Sequence, residues 1–375
     1  MAGIYLHIPF CKQKCNYCNF HFSTSQKLKN EVLQAMLIEL ELQRNYLEGT
    51  TIETMYFGGG TPSILTGDEL KILFEKMFQL FPDMDLKECT LEANPDDLTS
   101  SFLKELKSTP VDRLSIGVQS FRDEDLKYMN RAHNASQADN AIKAAQDKGF
   151  TNLTIDLIFG VPETTHENWK KNLDKLLTYQ IPHFSSYALT VEEGTALDHS
   201  IKNKKTKAVD EEQAAKQFEM LIDFAEVNGY EQYEISNFSL LNHNAIHNTN
   251  YWKGNSYLGI GPSAHSFNGK SRQWNVANNA LYVQSILKNN KILFEKEILS
   301  ETQQLNEYIM TSLRTKWGCD LKKIRTKFGN DFSKKIKNEA NDFFDKGWLL
   351  LEEETLTLTK KGKLFTDSIA AELFQ

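Results

Sequence analysis

Three cysteines stand close together near the start of the chain. Cys11, Cys15 and Cys18 have the spacing C-x3-C-x2-C, and Phe20 occupies the place where one more cysteine could have followed. On a loop after a strand, three thiolates can bind a [4Fe–4S] cluster and leave one of its four irons open to a small chelating molecule. The spacing alone leaves two alternatives open, a zinc site completed by His21 and a redox-active thiol pair.

A glycine-rich turn, "YFGGGTPS", begins at Tyr56. Gly58, Gly59 and Gly60 allow a ligand to approach the backbone closely, and Thr61 adds a hydroxyl group. Such a turn on its own is more often structural than functional. Beside the cysteine loop, it favours a bound cofactor over a structural zinc ion.

Polar side chains occupy β-rich runs that a buried parallel sheet would keep apolar. Glu92, Gln119 and Asp156 lie toward the carboxyl ends of three different runs. In the first run Tyr5 and His7 share one face, because side chains alternate along a strand. Buried carboxylates are costly unless they are paired or hydrogen-bonded. We therefore expect a polar ligand site at the carboxyl-terminal mouth of one sheet.

The elements that must position these residues alternate between short β-rich runs and longer stretches with helical periodicity. One predicted helix has Thr66 as its candidate N-cap, and another has Gly149 as its candidate C-cap. The six β-rich runs begin at Ile4, Thr54, Cys89, Arg113, Leu153 and Phe184. This alternation predicts an α/β fold with a parallel sheet, first as a partial (β/α)6 TIM-type barrel and second as a doubly wound sheet.

The second half of the chain divides into smaller parts. Residues 200–207 are polar and lysine-rich and predict a surface loop, whereas an aromatic, His- and Gly-rich stretch begins near Tyr230. From Leu281 the tail is predicted to be helical, with a late hairpin in "WLLLEEETLTLT". The predicted domains are a barrel over 1–240, a His/aromatic segment over 241–285 and a small, mainly helical domain over 286–375.

The composition is that of an ordinary globular protein. The chain has 375 residues, of which 40% are hydrophobic, and its net charge of −7 argues against a nucleic-acid surface. No apolar run reaches the roughly 18 residues of a membrane span, and the start lacks the layout of a signal peptide. We therefore expect a cytoplasmic protein with reduced thiols, in which Cys89 and Cys319 are small buried side chains.

The cysteine loop and the glycine turn together resemble the radical S-adenosylmethionine (SAM) superfamily, and this resemblance implies the partial barrel. In that superfamily C-x3-C-x2-C binds the [4Fe–4S] cluster, and SAM chelates the open iron. The segments "IYLHIPFC", "FGGGTPS", "SIGVQSF", "IDLIFGVP" and "YLGIGPSAHSF" occur in this order. They resemble the branch that contains the oxygen-independent coproporphyrinogen III oxidase HemN and heme chaperones of the HemW type.

The resemblance implies roles for individual residues. Cys11, Cys15 and Cys18 would bind the cluster. The positions matching contacts with the cluster-bound SAM are Tyr5, Gly59 and Glu92, with His265 beside it. The positions matching contacts with a second SAM in the oxidase are Tyr17, Gly60, Thr61, Gln119, Arg131, Asp156 and Ala188. Whether one or two SAM molecules bind stays open, and a plain structural role for Arg131 is to pair with a nearby carboxylate.

Three features favour the chaperones over the oxidase. The oxidase has a further cysteine where this chain has Phe20, and a long segment before its cysteine motif where this chain has ten residues. "HNTNYW", which starts at His247, matches the HNxxYW motif in which the histidine is tied to heme binding. Imidazole is a common axial ligand of heme iron, and the two aromatic residues supply flat apolar area. His243 and His265 are candidates for a second ligand.

The sequence thus predicts a protein that binds heme and transfers it to an apo-protein, such as a respiratory enzyme at the membrane surface. A [4Fe–4S] cluster and SAM would support the transfer, and a homodimer would fit an exposed cluster. The alternative is an enzyme that cleaves SAM to a 5′-deoxyadenosyl radical and decarboxylates coproporphyrinogen III, an activity that we expect this chain to lack. The third hypothesis is a structural zinc protein without SAM.

Overall fold

A computed structural model describes residues 1–375. Six parallel strands follow one another in the first half of the chain, and each is followed by at least one helix. The strands are β1 (Ala2–Ile8), β2 (Ile52–Gly59), β3 (Glu88–Ala93), β4 (Arg113–Gln119), β5 (Asn152–Phe159) and β6 (His183–Ala188). The helices are α1 (Lys29–Leu42), α2 (Gly67–Leu80), α3 (Ser100–Leu106), α4 (Asp123–Tyr128), α5 (Ala135–Asp147), α6 (His166–Leu177), α7 (Ala196–Lys202) and α8 (Glu211–Val227).

Shorter strands extend the sheet at both edges. They are β7 (Glu231–Glu234), β8 (Asn237–Ser239), β9 (Ser256–Ile260), β10 (His265–Phe267), β11 (Ser271–Asn275) and β12 (Phe294–Ile298), with helices α9 (Ile246–Trp252) and α10 (Asn279–Asn289) among them. The strand order is β12-β11-β10-β9-β1-β2-β3-β4-β5-β6-β8-β7, and β9 lies parallel to β1. The sheet is not closed, so the predicted α/β partial barrel is confirmed.

β1 is an inner strand of the sheet, and its two faces have different characters. Ile4, Leu6 and Ile8 are fully buried in the main hydrophobic core. Tyr5 and His7 alternate with them and occupy the opposite face. Because β1 pairs with both β2 and β9, the loop that follows it begins inside the sheet and not at an edge.

Two of the predicted helix boundaries are confirmed. Thr66 caps α2 in a capping box, in which its hydroxyl accepts the N–H of Glu69 and the Glu69 carboxylate accepts the N–H of Thr66. Gly149 follows α5 with φ of 78°, a left-handed conformation in which glycine is favoured.

The end of the chain forms a smaller, mainly helical unit with its own core. Its elements are α11 (Glu301–Leu313), β13 (Cys319–Asp320), α12 (Leu321–Phe328), α13 (Asn330–Glu339), α14 (Asn341–Asp345), β14 (Leu349–Glu352), β15 (Thr355–Leu358) and α15 (Thr366–Glu372). A second hydrophobic cluster, from Leu305 to Leu373, lies within it. The late hairpin is confirmed as β14 paired with β15, and Cys89 and Cys319 are both buried as expected.

Two sequence predictions about the second half of the chain are wrong. Residues 200–202 form the last turn of α7 and not a loop. The tail after Leu281 is not helical throughout, because 294–298 form β12, which pairs with β11. The sequence of β12, "FEKEI", is charged and exposed, as edge strands often are, so it lacks the apolar signal of a core strand. Because β12 belongs to the large sheet, we propose that the C-terminal domain begins after it and not at 286.

None of the helices is both long enough and apolar enough to cross a membrane.

Candidate functional site

The cysteine loop begins where β1 ends. Cys11, Cys15 and Cys18 are all unpaired and partly buried. Burial raises the pKa of the Cys11 thiol to about 11 and also raises the pKa of Cys18. Thiolates are therefore unfavourable here unless a positive partner stabilises them, and iron is such a partner.

The donor set of this loop consists of three thiols, the ligands that iron–sulfur clusters take. No group of three or more His, Cys, Asp or Glu side chains is gathered around one point as a single metal ion requires. A [4Fe–4S] cluster binds each cysteine through a different iron, so it does not need such a gathering. Nε2 of His21, the proposed fourth zinc ligand, instead lies 2.8 Å from Oδ1 of Asn279.

Two side chains outside the cysteine loop donate hydrogen bonds to its sulfur atoms, Thr61 from the turn after β2 and Arg131 from the segment between α4 and α5. The Thr61 hydroxyl donates to Sγ of Cys11 at 3.3 Å. The buried guanidinium of Arg131 donates through Nη1 to Sγ of Cys15 at 3.1 Å. Its Nη2 donates to the side chain of Asn94 at 2.7 Å and to the carbonyl of Gly117 at 2.8 Å. Arg131 thus ties the cysteine loop to β4 and to the end of β3, and it does not pair with a carboxylate.

The glycine turn lies directly against β1 and the cysteine loop. Gly59 has φ of 108°, and a Cβ atom there would lie 2.8 Å from the His7 ring. A Cβ atom at Gly60 would lie 2.7 Å from the carbonyl oxygen of Phe10. That same carbonyl accepts the N–H of Thr61. Glycine is therefore needed at these positions because the turn approaches β1 and the start of the cysteine loop closely, whether or not a ligand is bound.

A cavity with a volume of about 830 Å³ is lined from both the large sheet and the C-terminal domain. We call it the inter-domain cavity. Four predicted cofactor contacts line it, namely Tyr5, Gly59, Glu92 and His265. Phe20 also lines it with its side chain 70% exposed. The structure thus brings together the residues expected around the cluster-bound SAM.

A second cavity, of about 320 Å³, lies among the strands of the barrel. We call it the barrel cavity. Asp156 and His247 line it, whereas Tyr5, Glu92 and Tyr251 line both cavities. The Tyr56 hydroxyl and the Ser115 hydroxyl donate to Glu92 and Asp156, at 2.7 Å and 3.1 Å respectively. The polar ends of β3 and β5 therefore face a common interior.

Burial controls the charge of these two carboxyl groups. It raises the pKa of Glu92 to about 7, and the Asp156 carboxylate raises it further in the same direction. Burial likewise raises the pKa of Asp156, which hydrogen bonds from serines partly oppose. A cationic group entering either cavity would favour the charged forms of both residues.

His247 lies inside the barrel cavity and is only 2% exposed. Its Nδ1 is 2.7 Å from the Thr54 hydroxyl, and its Nε2 is 2.8 Å from the Tyr251 hydroxyl. Burial lowers its pKa to about 3, so the ring is neutral. Ligation of iron by His247 stays a prediction, and it requires that one of these two hydrogen bonds break.

The other predicted positions do not line either cavity. Gln119 ends β4 with φ of 68°, a strained conformation for a residue other than glycine. Ala188 is exposed at the end of β6. Tyr17, which lies within the cysteine loop between Cys15 and Cys18, packs against a small hydrophobic cluster. The full set outside both cavities is Tyr17, Gly60, Thr61, Gln119, Arg131 and Ala188.

Sequence reasoning missed the wall that the C-terminal domain contributes. Tyr308 and Met310 on α11, with Lys323 and Lys327 on α12, line the inter-domain cavity. These residues belong to no recognisable sequence motif, and they lie on amphipathic helices of an ordinary kind. The only signal in the sequence was the pair of lysines four residues apart on one helix face.

Comparison with known proteins identifies two families. The model of the radical SAM superfamily matches residues 5–176, and that of the HemN C-terminal domain matches residues 299–365. Heme chaperone HemW of Bacillus subtilis (strain 168) is 32% identical over 372 residues, which cover 98% of each chain. Heme chaperone HemW of Escherichia coli (strain K12) is 34% identical over 70% of this chain and 69% of its own.

A solved structure shares the fold. Coproporphyrinogen III oxidase HemN from Escherichia coli matches with a TM-score of 0.84 over 100% of this chain and 90% of its own. Its sequence is 21% identical, so the likeness is one of fold alone.

Proposed function

The chain belongs to the HemN/HemW family of the radical SAM superfamily, and on this premise we propose that it is a heme chaperone. It binds heme, carries a SAM-coordinated [4Fe–4S] cluster and delivers the heme to an apo-protein. The observation that carries the proposal is the similarity over 98% of both chains to a relative named heme chaperone HemW. The aromatic and cationic lining of the inter-domain cavity supports it.

Cys11, Cys15 and Cys18 would hold the cluster in this proposal. When bound, the cluster supplies an iron that is open to the amino and carboxylate groups of SAM. Thr61 and Arg131 hold the first two sulfurs by donating to them. The hydrogen bond from Thr61 favours the thiolate of Cys11 and partly opposes the effect of burial on the pKa of that thiol.

The residues proposed to contact SAM are those that line the inter-domain cavity beside the cysteine loop. Tyr5 and Gly59 provide the floor, and Glu92 provides a carboxyl group whose pKa of about 7 leaves it ready to ionise beside an ammonium group. We propose one SAM molecule, because Thr61 and Arg131 are engaged with cysteine sulfur and Gln119 lines neither cavity.

The recipient in this proposal is an apo-heme protein, such as a respiratory enzyme at the membrane surface, which the chain reaches from the cytoplasm. A homodimer is proposed with it, since a second copy would cover the cysteine loop, in which Cys11, Cys15 and Cys18 are only partly buried.

The second candidate function is oxygen-independent coproporphyrinogen III oxidation. The fold and C-terminal domain shared with HemN favour it. Phe20 in place of a further cysteine and the HNxxYW motif argue against it. The two functions differ in one observable, because only the oxidase converts coproporphyrinogen III into a product.

A transfer experiment tests the chaperone directly. The chain is loaded with heme anaerobically after cluster reconstitution, and an apo-cytochrome b is added either to the same chamber or across a dialysis membrane. We expect saturable heme binding and faster delivery when the two proteins share a chamber. Equal delivery in both arrangements, or binding that does not saturate, contradicts the proposal because it indicates passive release.

A further inference from the structure

The inter-domain cavity combines an unbonded imidazole, unpaired lysines and exposed apolar side chains. We propose that heme lies in this cavity, with His265 as the iron ligand and with Lys323, Lys327 and Lys253 bound to its propionates. The inference rests on the proposed heme binding and adds the location of the heme and the groups that hold it.

A histidine can ligate heme iron only through a ring nitrogen that is not already hydrogen-bonded. Three histidines line the cavity. Nε2 of His7 bonds the carbonyl of His21, and Nε2 of His21 bonds Asn279. His265 makes no side-chain hydrogen bond and is exposed to the cavity, with its ring stacked on Trp274 at 5.9 Å. Burial and the charge of Arg272 lower its pKa, which keeps the ring neutral as iron ligation requires.

The lysines provide positive charge that no acidic residue of the chain neutralises. Lys253, Lys323 and Lys327 line the cavity, and none of them has a carboxylate within 4.0 Å. Their ammonium groups instead lie over aromatic rings, such as Lys323 over Tyr308 at 4.4 Å and Lys253 over Trp317 at 4.8 Å. In a protein with a net charge of −7, such a group of free cations indicates an anionic ligand.

Arg272 does not belong to this group. Its Nε and Nη2 donate to both oxygens of Glu307, at 2.7 Å and 2.9 Å. This bidentate pair occupies the guanidinium and links β11 to α11 across the cavity. The ligand must therefore find its counter-charges on the lysines.

Apolar walls complete the match to a flat macrocycle. Phe20 is 70% exposed and Met310 is 42% exposed, and both line the cavity with Trp252 and Phe267. Large side chains exposed together in a concave site indicate a ligand that covers them. A porphyrin presents two apolar faces and an edge with carboxylates, so it can cover the rings and reach the lysines at the same time.

The position of His247 fits this arrangement. Its ring is closed off by Thr54 and Tyr251, and Tyr251 also lines the inter-domain cavity. His247 therefore acts as a positioning residue that fixes the tyrosine wall of the heme site.

Charge reversal on α12 tests the propionate contacts. Lys323→Glu combined with Lys327→Glu is compared with Lys322→Glu, an exposed lysine on the same helix that does not line the cavity. Heme and heme dimethyl ester are titrated into the full chain with its reconstituted cluster, and the Soret band is followed. We expect the double variant to lose about tenfold or more in affinity for heme and little for the ester, and Lys322→Glu to match the unaltered protein.

Removal of the imidazole tests the iron ligand. His265→Ala should shift the Soret band and change the iron spin state, and added imidazole should restore both. His166→Ala, an exposed histidine at the start of α6 that lines neither cavity, should change neither. If the unaltered protein binds no heme, the proposed function fails. If it binds heme but all four variants behave alike, the heme location is wrong and the chaperone function stands.

Discussion

Nε2 of His247 lies 2.8 Å from the hydroxyl oxygen of Tyr251, one turn later on α9. Nδ1 of the same ring lies 2.7 Å from the hydroxyl of Thr54 on β2. His247 faces the barrel cavity, whereas Tyr251 lines both cavities. In the HNxxYW motif, Tyr251 therefore lies between His247 and the inter-domain cavity. We expect His247 to affect heme binding by holding Tyr251 in place.

The first prediction concerns this pair. His247→Ala should weaken heme binding by roughly tenfold and leave the cluster intact, because it removes the support of Tyr251. Tyr251→Phe should weaken heme binding to a similar degree, since it breaks the same hydrogen bond. Both effects are measured by Soret titration.

Tyr187→Phe is the control, because this tyrosine lines the barrel cavity and makes no hydrogen bond to His247. If His247 ligated the iron itself, Tyr251→Phe would free Nε2 and leave heme affinity unchanged or higher. That result would contradict the positioning role.

The second prediction concerns the cluster ligands. Cys15→Ser should abolish the visible absorption of the reconstituted cluster, since a cluster held by three thiolates loses one of its three anchors. Cys89→Ala removes a buried thiol of β3 and should keep the absorption. A Cys15→Ser protein with full colour would mean that the cysteine loop does not hold a cluster, and the zinc hypothesis would return.

The third prediction concerns the glycine turn. Gly60→Ala should reduce cluster occupancy strongly, because its Cβ would lie 2.7 Å from the carbonyl of Phe10 and displace the start of the cysteine loop. Gly149→Ala is the matched control. It strains a left-handed helix end at a cost of about 1 kcal/mol, but it meets no atom within 4 Å. Iron analysis after reconstitution compares the two, and equal iron contents would refute the close approach as the reason for glycine.

The fourth prediction concerns the dependence of stability on pH. Glu39 is fully buried, and its carboxylate accepts hydrogen bonds from Tyr282, Gly261 and Asn275. Burial raises its pKa from 4.5 to about 7. The folded state therefore holds a proton that the unfolded state releases between these values, so this contribution to stability is full below pH 4.5 and is lost as the pH rises through 7.

Glu39→Gln should flatten this dependence by an amount on the order of 3 kcal/mol between pH 4.5 and 7.5. Denaturant unfolding at several pH values measures it. Glu41→Gln, on the same helix with its side chain 53% exposed, should leave the slope unchanged. An unaltered slope in Glu39→Gln would show that its carboxyl group is ionised in the folded protein at all these pH values.

The alternation of strands and helices was predictable because the side chains of an inner strand are selected by the two layers that they pack against. This selection leaves a regular pattern in the sequence. The run at Ile4 alternates aliphatic residues with Tyr5 and His7, and the structure places these two sets on opposite faces. The cysteine loop and the glycine turn were predictable for a different reason. Their chemistry restricts the residue types at fixed spacing, so they stay recognisable without any knowledge of packing.

The short outer strands of the sheet and the bonding of His247 were not predictable from local pattern. Strands such as β8 and β10 have three residues each and depend on their neighbours for pairing. The bond between His247 and Thr54 joins residues 193 positions apart, and nothing near His247 indicates it. The lysines of α12 became part of the site only because the C-terminal domain packs across the mouth of the sheet.

The most direct test of the central claim offers the protein both substrates under the same conditions. The cluster is reconstituted anaerobically, reductant and SAM are added, and one portion receives heme while the other receives coproporphyrinogen III. The account predicts a saturating Soret band in the first portion and no protoporphyrinogen IX in the second. Protoporphyrinogen IX formed over many turnovers, without saturable heme binding, would contradict it and identify the chain as a decarboxylating oxidase.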